Sequence, residues 1–313
     1  MKRRQFVMGS TAALSVLACS DQERSATPVI DAPAGKLQGD TVNGIHRFLG
    51  IPYAEPPFGE LRWRAPVPRP RWAGVLAATR YGAICPQTSG GPRPGSPDRG
   101  EDCLNLNVWT PDPTTKGMPV MVWVHDGGQV SGSGADNDGT HFAEEGVVLV
   151  PCNRQLGAKG FLYLEELFGD DFGPGNLGIQ DLIEVLNWVA RNIGHFGGDP
   201  ANVTLSGASG GGAAAQAVIA TPGSKSLVRR VVLQSAGQVV QRPDTATAIS
   251  RHVISQVGVK PGDADALRRV PWGRFVELYS GIEQLGSSSE PEIYVPVLNR
   301  HMPHHPADAA HAG

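Results

Sequence analysis

Two short stretches carry residue types that can transfer an acyl group. NVTLSGASGGG (202–212) reads as a short buried strand, then Gly207, Ala208, Ser209, Gly210 and Gly211, then an Ala/Gly run able to begin a helix. Small residues on both sides of Ser209 allow a sharp strand-to-helix elbow that exposes its hydroxyl as a nucleophile. The helix that follows aims free N–H groups at developing negative charge. The second stretch, VWVHDGGQ (122–129), is a buried strand running out into His125, Asp126, Gly127 and Gly128. A glycine pair just past a strand end lets backbone N–H groups approach an oxyanion closely. Serine elbow and glycine loop together form the minimal set for acyl transfer. His125, at the strand end, reads as orienting the glycine loop rather than as a base.

The surrounding pattern supplies the elements that must position these groups. PVMVWVH (119–125) and GVVLVPC (146–152) are continuous apolar runs of the kind found in buried parallel strands. Ile179, Leu182, Ile183, Leu186, Val189 and Ile193 recur at helical spacing and predict an amphipathic helix packed on a sheet. NVTLSG, the Ala/Gly run and RVVLQSA add strand, helix and strand. Asn43-Gly44 between β-prone runs predicts a hairpin, and residues 241–285 read mostly as helices. The alternation predicts an α/β chain with a mostly parallel sheet covered by helices on both faces.

The N-terminus reads as a targeting segment. Lys2, Arg3 and Arg4 precede an apolar stretch from Phe6 to Ala18, too short to span a bilayer. The arginine pair resembles a twin-arginine export signal. Val16-Leu17-Ala18-Cys19 resembles a lipoprotein processing box in which Cys19 is acylated. Residues 1–26 are therefore expected to be signal and polar tether. The expected location is the periplasm or the outer membrane, with the membrane touched only through a lipid on Cys19. Residues 27–313 form the folded part. A formal charge of −3 suggests neither nucleic acid nor an anionic membrane as partner.

Export makes the cysteines informative, because an oxidising compartment permits disulfides. Cys85 and Cys103 flank a Pro/Gly-rich loop with no core of its own. A crosslink across it would remove about 3 kcal/mol of loop entropy from the unfolded chain. Cys152 ends an apolar run and reads as a buried thiol. No spacing suits zinc, and no cofactor or metal is expected.

Read together, FLGIPYAEPPFGELRWRAP, CPQ, EDCLNLNVWTP, PVMVWVHDGG, GNLGIQDLIEVLNWVARNIGHFGGDPANVTLSGASGGG and LQSAG run in the order of a known family. The chain resembles the type-B carboxylesterases, the α/β-hydrolase group that includes the cholinesterases and bacterial nitrobenzyl esterases. The resemblance implies a serine esterase acting on small uncharged esters. In it Ser209 is the nucleophile, the N–H groups of Gly127, Gly128 and Gly210 form the oxyanion hole, and Cys85 pairs with Cys103. YVPVLNRHMPHHP resembles the segment lying shortly before the family's catalytic acid.

The departures are specific. Ala208 replaces a usual Glu. Asp126 and Gln129 stand where the family has glycine and an aromatic residue. Asn153, Arg154 and Gln155 replace Asn-Tyr-Arg. A carboxylate at 126 facing the site, about 6 Å from an oxyanion at an effective dielectric near 20, would cost about 3 kcal/mol. Facing outward it would cost nothing. After Ser209 no strand ends in an acid followed by a strand and a histidine. His195 reads as a loop residue, and His301, His304, His305 and His311 as a solvated polar tail. The family's C-terminal portion, with triad acid and histidine, is expected to be missing. The alternative function is a catalytically inactive member that acts by binding.

Overall fold

The computed structural model describes residues 24–87, 97–237, 240–285 and 293–311. Cys19 and the targeting segment fall outside them. Strands are β1 (Arg24–Ala26), β2 (Ile30–Ala32), β3 (Gly35–Gln38), β4 (Asp40–Val42), β5 (Ile45–Pro52), β6 (Val75–Ala77), β7 (Asn105–Thr110), β8 (Met118–Val124), β9 (Val148–Cys152), β10 (Gly198–Ala208) and β11 (Arg230–Gln234). Helices are α1 (Thr140–Glu144), α2 (Gly157–Phe161), α3 (Glu165–Phe168), α4 (Leu177–Asn192), α5 (Gly210–Ala220), α6 (Pro243–Gln256), α7 (Ala264–Arg269), α8 (Trp272–Leu285) and α9 (Pro306–His311).

Among the described residues the main sheet has eight strands in the order β1-β4-β5-β7-β9-β8-β10-β11, and a small sheet has the order β2-β3-β6. The main sheet is mixed. From β1 to β9 neighbours run antiparallel, and β9-β8-β10-β11 is the parallel portion that the α/β alternation predicts. The expected hairpin joins β4 to β5, with Asn43 and Gly44 both at positive φ (52° and 81°), as a type I′ turn requires. β1 pairs with β4, so the sheet begins inside the stretch expected to be tether.

Both faces are covered. Leu106 and Val108 of β7 enter the main core with Val120, Val122 and Val124 of β8. Trp109, one residue out of phase, joins Ile45, Leu49, Ala143 and Leu149 on the other face, under α1. Ile179, Leu182, Leu186 and Val189 of α4 are buried as their spacing predicts. β7 and β9 are buried along their whole length. β11 ends the sheet, with Val232 and Leu233 about 40 % exposed.

Downstream of β11 the structure departs from the sequence reading. Residues 294–298 form no sheet strand. They are tied down by a bridge between Gln241 and Val297 and by Asn176, whose side chain donates to Val297 O (2.8 Å) and accepts from Val297 N (2.7 Å). The tail is solvated only in part: His301 and His304 are exposed, as expected, and His305 is half-buried. Met302 and Pro306 are buried and α9 packs on α5, because the Ala-rich face of α5 leaves room for a close neighbour.

Candidate active site

β10 lies between β8 and β11 with all three parallel, and Gly207 is in register with Val124. The loop leaving β8 and the elbow leaving β10 therefore emerge side by side at the carboxyl edge of the sheet, where open α/β sheets bind ligands. Ser209 is exposed at that edge with φ 50° and ψ −121°, a conformation L-residues rarely adopt. Its N–H donates to Gln234 O of β11 (2.8 Å), and its C=O accepts from Ala213 N (3.0 Å) as α5 begins. Two glycines are required here by contact. A Cβ on Gly210 would lie 2.2 Å from Gly128 O, and one on Gly211 would lie 2.2 Å from Val124 O.

Hydrogen bonds fix the directions of the Gly127, Gly128 and Gly210 N–H groups, because the N–H and C=O of a trans peptide point in opposite directions. Asp126 O is held by His125 Nδ1 (2.8 Å), which sets the Gly127 N–H. Gly127 O accepts from Ser131 N (3.0 Å), Ser131 Oγ (3.0 Å) and Val130 N (3.3 Å), which sets the Gly128 N–H. The Ser209 C=O bond sets the Gly210 N–H. Among the described residues none of these three N–H groups takes an acceptor. Gln87 ties the loop to the Cys85 segment: its Nε2 donates to Cys85 O and Gly132 O (both 3.0 Å), and its Oε1 accepts from Gly132 N (2.8 Å).

Behind the loop sits Arg154, with no solvent exposure. Its guanidinium donates to His125 Nε2 (3.0 Å), His125 O (3.4 Å), Gly128 O (3.2 Å) and Gln129 Oε1 (3.4 Å). Gln129 Nε2 in turn donates to Gly210 O (2.8 Å), linking the loop to the elbow. Burial lowers the Arg154 pKa to about 10, which leaves it charged at neutral pH. Burial, then the Arg154 charge, push the His125 pKa well below its ordinary value. His125 thus donates from Nδ1 and accepts at Nε2. Both ring nitrogens are engaged away from Ser209, in keeping with an orienting role.

Ser209, Gly128, Gln129, Gly210, Ala213, Gly237, Val295 and Pro296 line a cleft of about 60 Å³. No histidine or carboxylate lines it among the described residues. Asp126 is exposed and is not among the residues lining this cleft. Gly127 is also outside the lining. His195 is exposed near Asp31, away from the cleft. His304 lies with Asp308 at the far end of α5, an 11-residue helix, so about 16 Å from Ser209. His305 Nδ1 accepts from Ala307 N as α9 begins, and His301 is exposed beside Arg300. His311 ends α9.

Cys85, Cys103 and Cys152 are buried free thiols. The expected Cys85–Cys103 disulfide is therefore not formed in this structure. The fold supplies the approach, since the two thiols hydrogen-bond, lowering the Cys85 pKa and raising that of Cys103. The covalent step needs an oxidant. Burial raises the Cys152 pKa to about 12. No group of metal-ligating residues forms among the described residues, and none of their helices is long and apolar enough to cross a membrane.

Sequence reading noted Gln129 and Arg154 as separate oddities and missed that they touch. The available signal was an arginine two residues past the end of a fully buried strand. Asp181 was missed too. It is buried on α4 and accepts from Gln155 N (2.8 Å) and Gln155 Nε2 (3.3 Å).

Comparison with known proteins shows the family and the fold. The model of the carboxylesterase family matches residues 26–312. The para-nitrobenzyl esterase of Bacillus subtilis is 40 % identical over 248 residues, 77 % of this chain and 50 % of that protein. The fumonisin B1 esterase of Sphingopyxis macrogoltabida is 36 % identical over 302 residues, 94 % of this chain and 54 % of that one. Among solved structures, a Geobacillus stearothermophilus carboxylesterase superposes with a TM-score of 0.82 at 36 % identity, covering 91 % of this chain and 60 % of that one. A thermophilic PNB esterase gives 0.84 at 33 % identity, covering 90 % and 59 %. The chain spans about half the length of the curated relatives it matches.

Proposed function

Because this chain belongs to the carboxylesterase family, we propose that it carries the acyl-transfer site of a carboxylic ester hydrolase, with Ser209 as nucleophile and Gly127, Gly128 and Gly210 as oxyanion donors. The observation that carries this reading is the positive-φ Ser209 elbow facing the glycine loop across one cleft. Ser209 Oγ attacks the ester carbonyl and its proton leaves to solvent; the oxyanion collapses, breaking the bond to the ester oxygen, which takes a proton from solvent and departs as the alcohol, leaving an acyl-serine. Small uncharged esters fit best, because the lining carries no charged side chain. An apolar pocket walled by Val130, Leu156, Phe275 and Tyr294 adjoins it, one residue along from Gln129 and from Val295. The test is stopped-flow nitrophenyl acetate hydrolysis by wild type and Ser209→Ala. A burst approaching one nitrophenol per chain, absent in the alanine variant, is the expected result.

That no histidine or carboxylate lines the cleft among the described residues favours a second reading, a chain that binds esters without turning them over. It expects equal, slow hydrolysis with and without Ser209. We also propose export by the N-terminal segment with acylation at Cys19. An oxidised disulfide in that compartment would take the two hydrogens of the Cys85 and Cys103 thiols and close the bridge. Peptide mapping of envelope material with and without reductant tests this. Freely alkylating thiols would refute the bridge, and an unmodified Cys19 would refute the anchor.

A further inference from the structure

The guanidinium of Arg154 is an expensive group to bury. It has no carboxylate in hydrogen-bond contact, its Nε has no partner among the described residues, and all four of its hydrogen bonds go to neutral acceptors. Those acceptors are not scattered. Every one lies on residues 125–129, the segment that passes Ser209. A cation held against desolvation must be repaid by what it organises.

Two effects follow from its place. By drawing His125 O and Gly128 O inward, it keeps the opposite edges of those peptides, the Asp126 and Gln129 N–H groups, turned the other way. Through Gln129, whose Oε1 it binds and whose Nε2 binds Gly210 O, it fixes the distance between loop and elbow. The second effect is electrostatic. A permanent positive charge stands behind the peptide whose carbonyl belongs to Gly128, while among the described residues no charged side chain lines the cleft that Gly128 lines. At a separation of roughly 7 Å and an effective dielectric near 20, a unit charge favours an anion there about fifty-fold.

We propose that Arg154 is a positioning residue for the Ser209 cleft, holding the glycine loop against the elbow through Gln129 and placing a buried cation behind the site of the oxyanion. The departures at 129 and 154 are then one exchange and not two, since Gln129 supplies both the acceptor that Arg154 needs and the donor that Gly210 O needs. The electrostatic half rests on the reading of Ser209 as nucleophile; the positioning half does not.

The test uses Arg154→Met, Arg154→Lys and Ser209→Ala in the full chain, each checked for an intact thermal transition. Phenylboronic acid is the anion probe: its boron takes the Ser209 Oγ, the hydroxyl proton goes to solvent, and an anionic tetrahedral boronate remains. Wild type is expected to bind it in a Ser209-dependent way, Arg154→Met about ten- to a hundredfold more weakly, and Arg154→Lys within about fivefold of wild type. Hydrogen exchange over residues 125–132 gives a readout that needs no chemistry at Ser209. It should quicken at least about tenfold in Arg154→Met while β5 and β7 stay unchanged. Equal boronate affinity in wild type and Arg154→Met, with wild-type binding dependent on Ser209, overturns the electrostatic half. Unchanged exchange in 125–132 overturns the proposal whatever the boronate does. If Ser209→Ala binds boronate as wild type does, the nucleophile reading fails, and exchange alone decides the role of Arg154.

Discussion

Replacing Asp181 by asparagine should change how stability depends on pH. Asp181 has no solvent exposure and no ion pair among the described residues. Its two hydrogen bonds both come from Gln155, whose Oε1 is buried without a partner and could accept from a protonated carboxyl. Burial raises the Asp181 pKa from 3.8 to about 7, against the pull of the Gln155 bonds and the Arg154 charge. A carboxyl whose pKa is raised by folding binds its proton more tightly in the native state. Its contribution is fully present below pH 3.8 and is lost as pH rises through about 7. About three pKa units correspond to about 4 kcal/mol. Asp181→Asn cannot ionise, so the variant should lack this loss. Urea unfolding of both proteins from pH 4.5 to 8.5 isolates the effect, because every other titrating group cancels in the difference. Near pH 4.5 the two should be within about 1 kcal/mol, and above pH 8 the asparagine variant should be more stable by a few kcal/mol. Parallel curves across the range would refute the reasoning, since they would mean that Asp181 ionises at the same cost folded and unfolded.

Gly211→Ala places a methyl 2.2 Å from Val124 O and 2.4 Å from His125 O, both main chain, so a loss of about 3 kcal/mol is expected; an unchanged thermal midpoint would show that the elbow can relax. Glu101 binds Lys159 Nζ (2.6 Å) and Arg62 Nη2 (2.8 Å), whose side chains are only 5 % and 6 % exposed. Burial works to raise the Glu101 pKa, but these bonds outweigh it and bring it below its ordinary value. Glu101→Gln should therefore cost about 3–5 kcal/mol in urea at neutral pH by stranding two cations. In the wild type this contribution should be lost on acidification as pH falls through the lowered pKa; equal stability of the two proteins at pH 7 counts against it. Leu233→Lys on the outer strand should reduce light scattering on storage with little change in unfolding midpoint, because a charge on an edge strand opposes strand addition. Unaltered scattering would show that association uses another surface.

The strands and helices were legible where one force dominated. Continuous apolar runs became β8 and β9, the spacing of Ile179, Leu182, Leu186 and Val189 became α4, and Asn43-Gly44 became the turn it favours. The antiparallel portion beyond that hairpin was less visible. β7 is buried on both faces and shows no alternation to separate it from a parallel strand. Ser209 and the glycine loop could be read because their backbone geometry demands small residues at fixed spacing. The direction of the Gly127 N–H could not, since it depends on one peptide orientation set by His125 Nδ1. Nor could the Arg154 contacts, which join residues 25–29 positions apart through side chains that no periodicity records. The docking of the C-terminal segment was hidden for a similar reason. One amide, Asn176, makes two hydrogen bonds that neither hydropathy nor propensity registers.

That same amide sets a schedule. Val295 and Pro296 wall the cleft, and the next residue, Val297, is the one Asn176 grips across 121 positions. Nearly ninety residues separate Ser209 from this wall, and at ribosomal speeds they take roughly 4–18 s to make. Within that interval β11 follows, completing the strands on both sides of β10 and the Gln234 O that holds the Ser209 N–H, whereas the far side of the cleft has not yet been made. Ser209 is thus made before the wall that encloses it, and the cleft stays open on that side until residues 295–297, which follow every other residue of its lining, have been added.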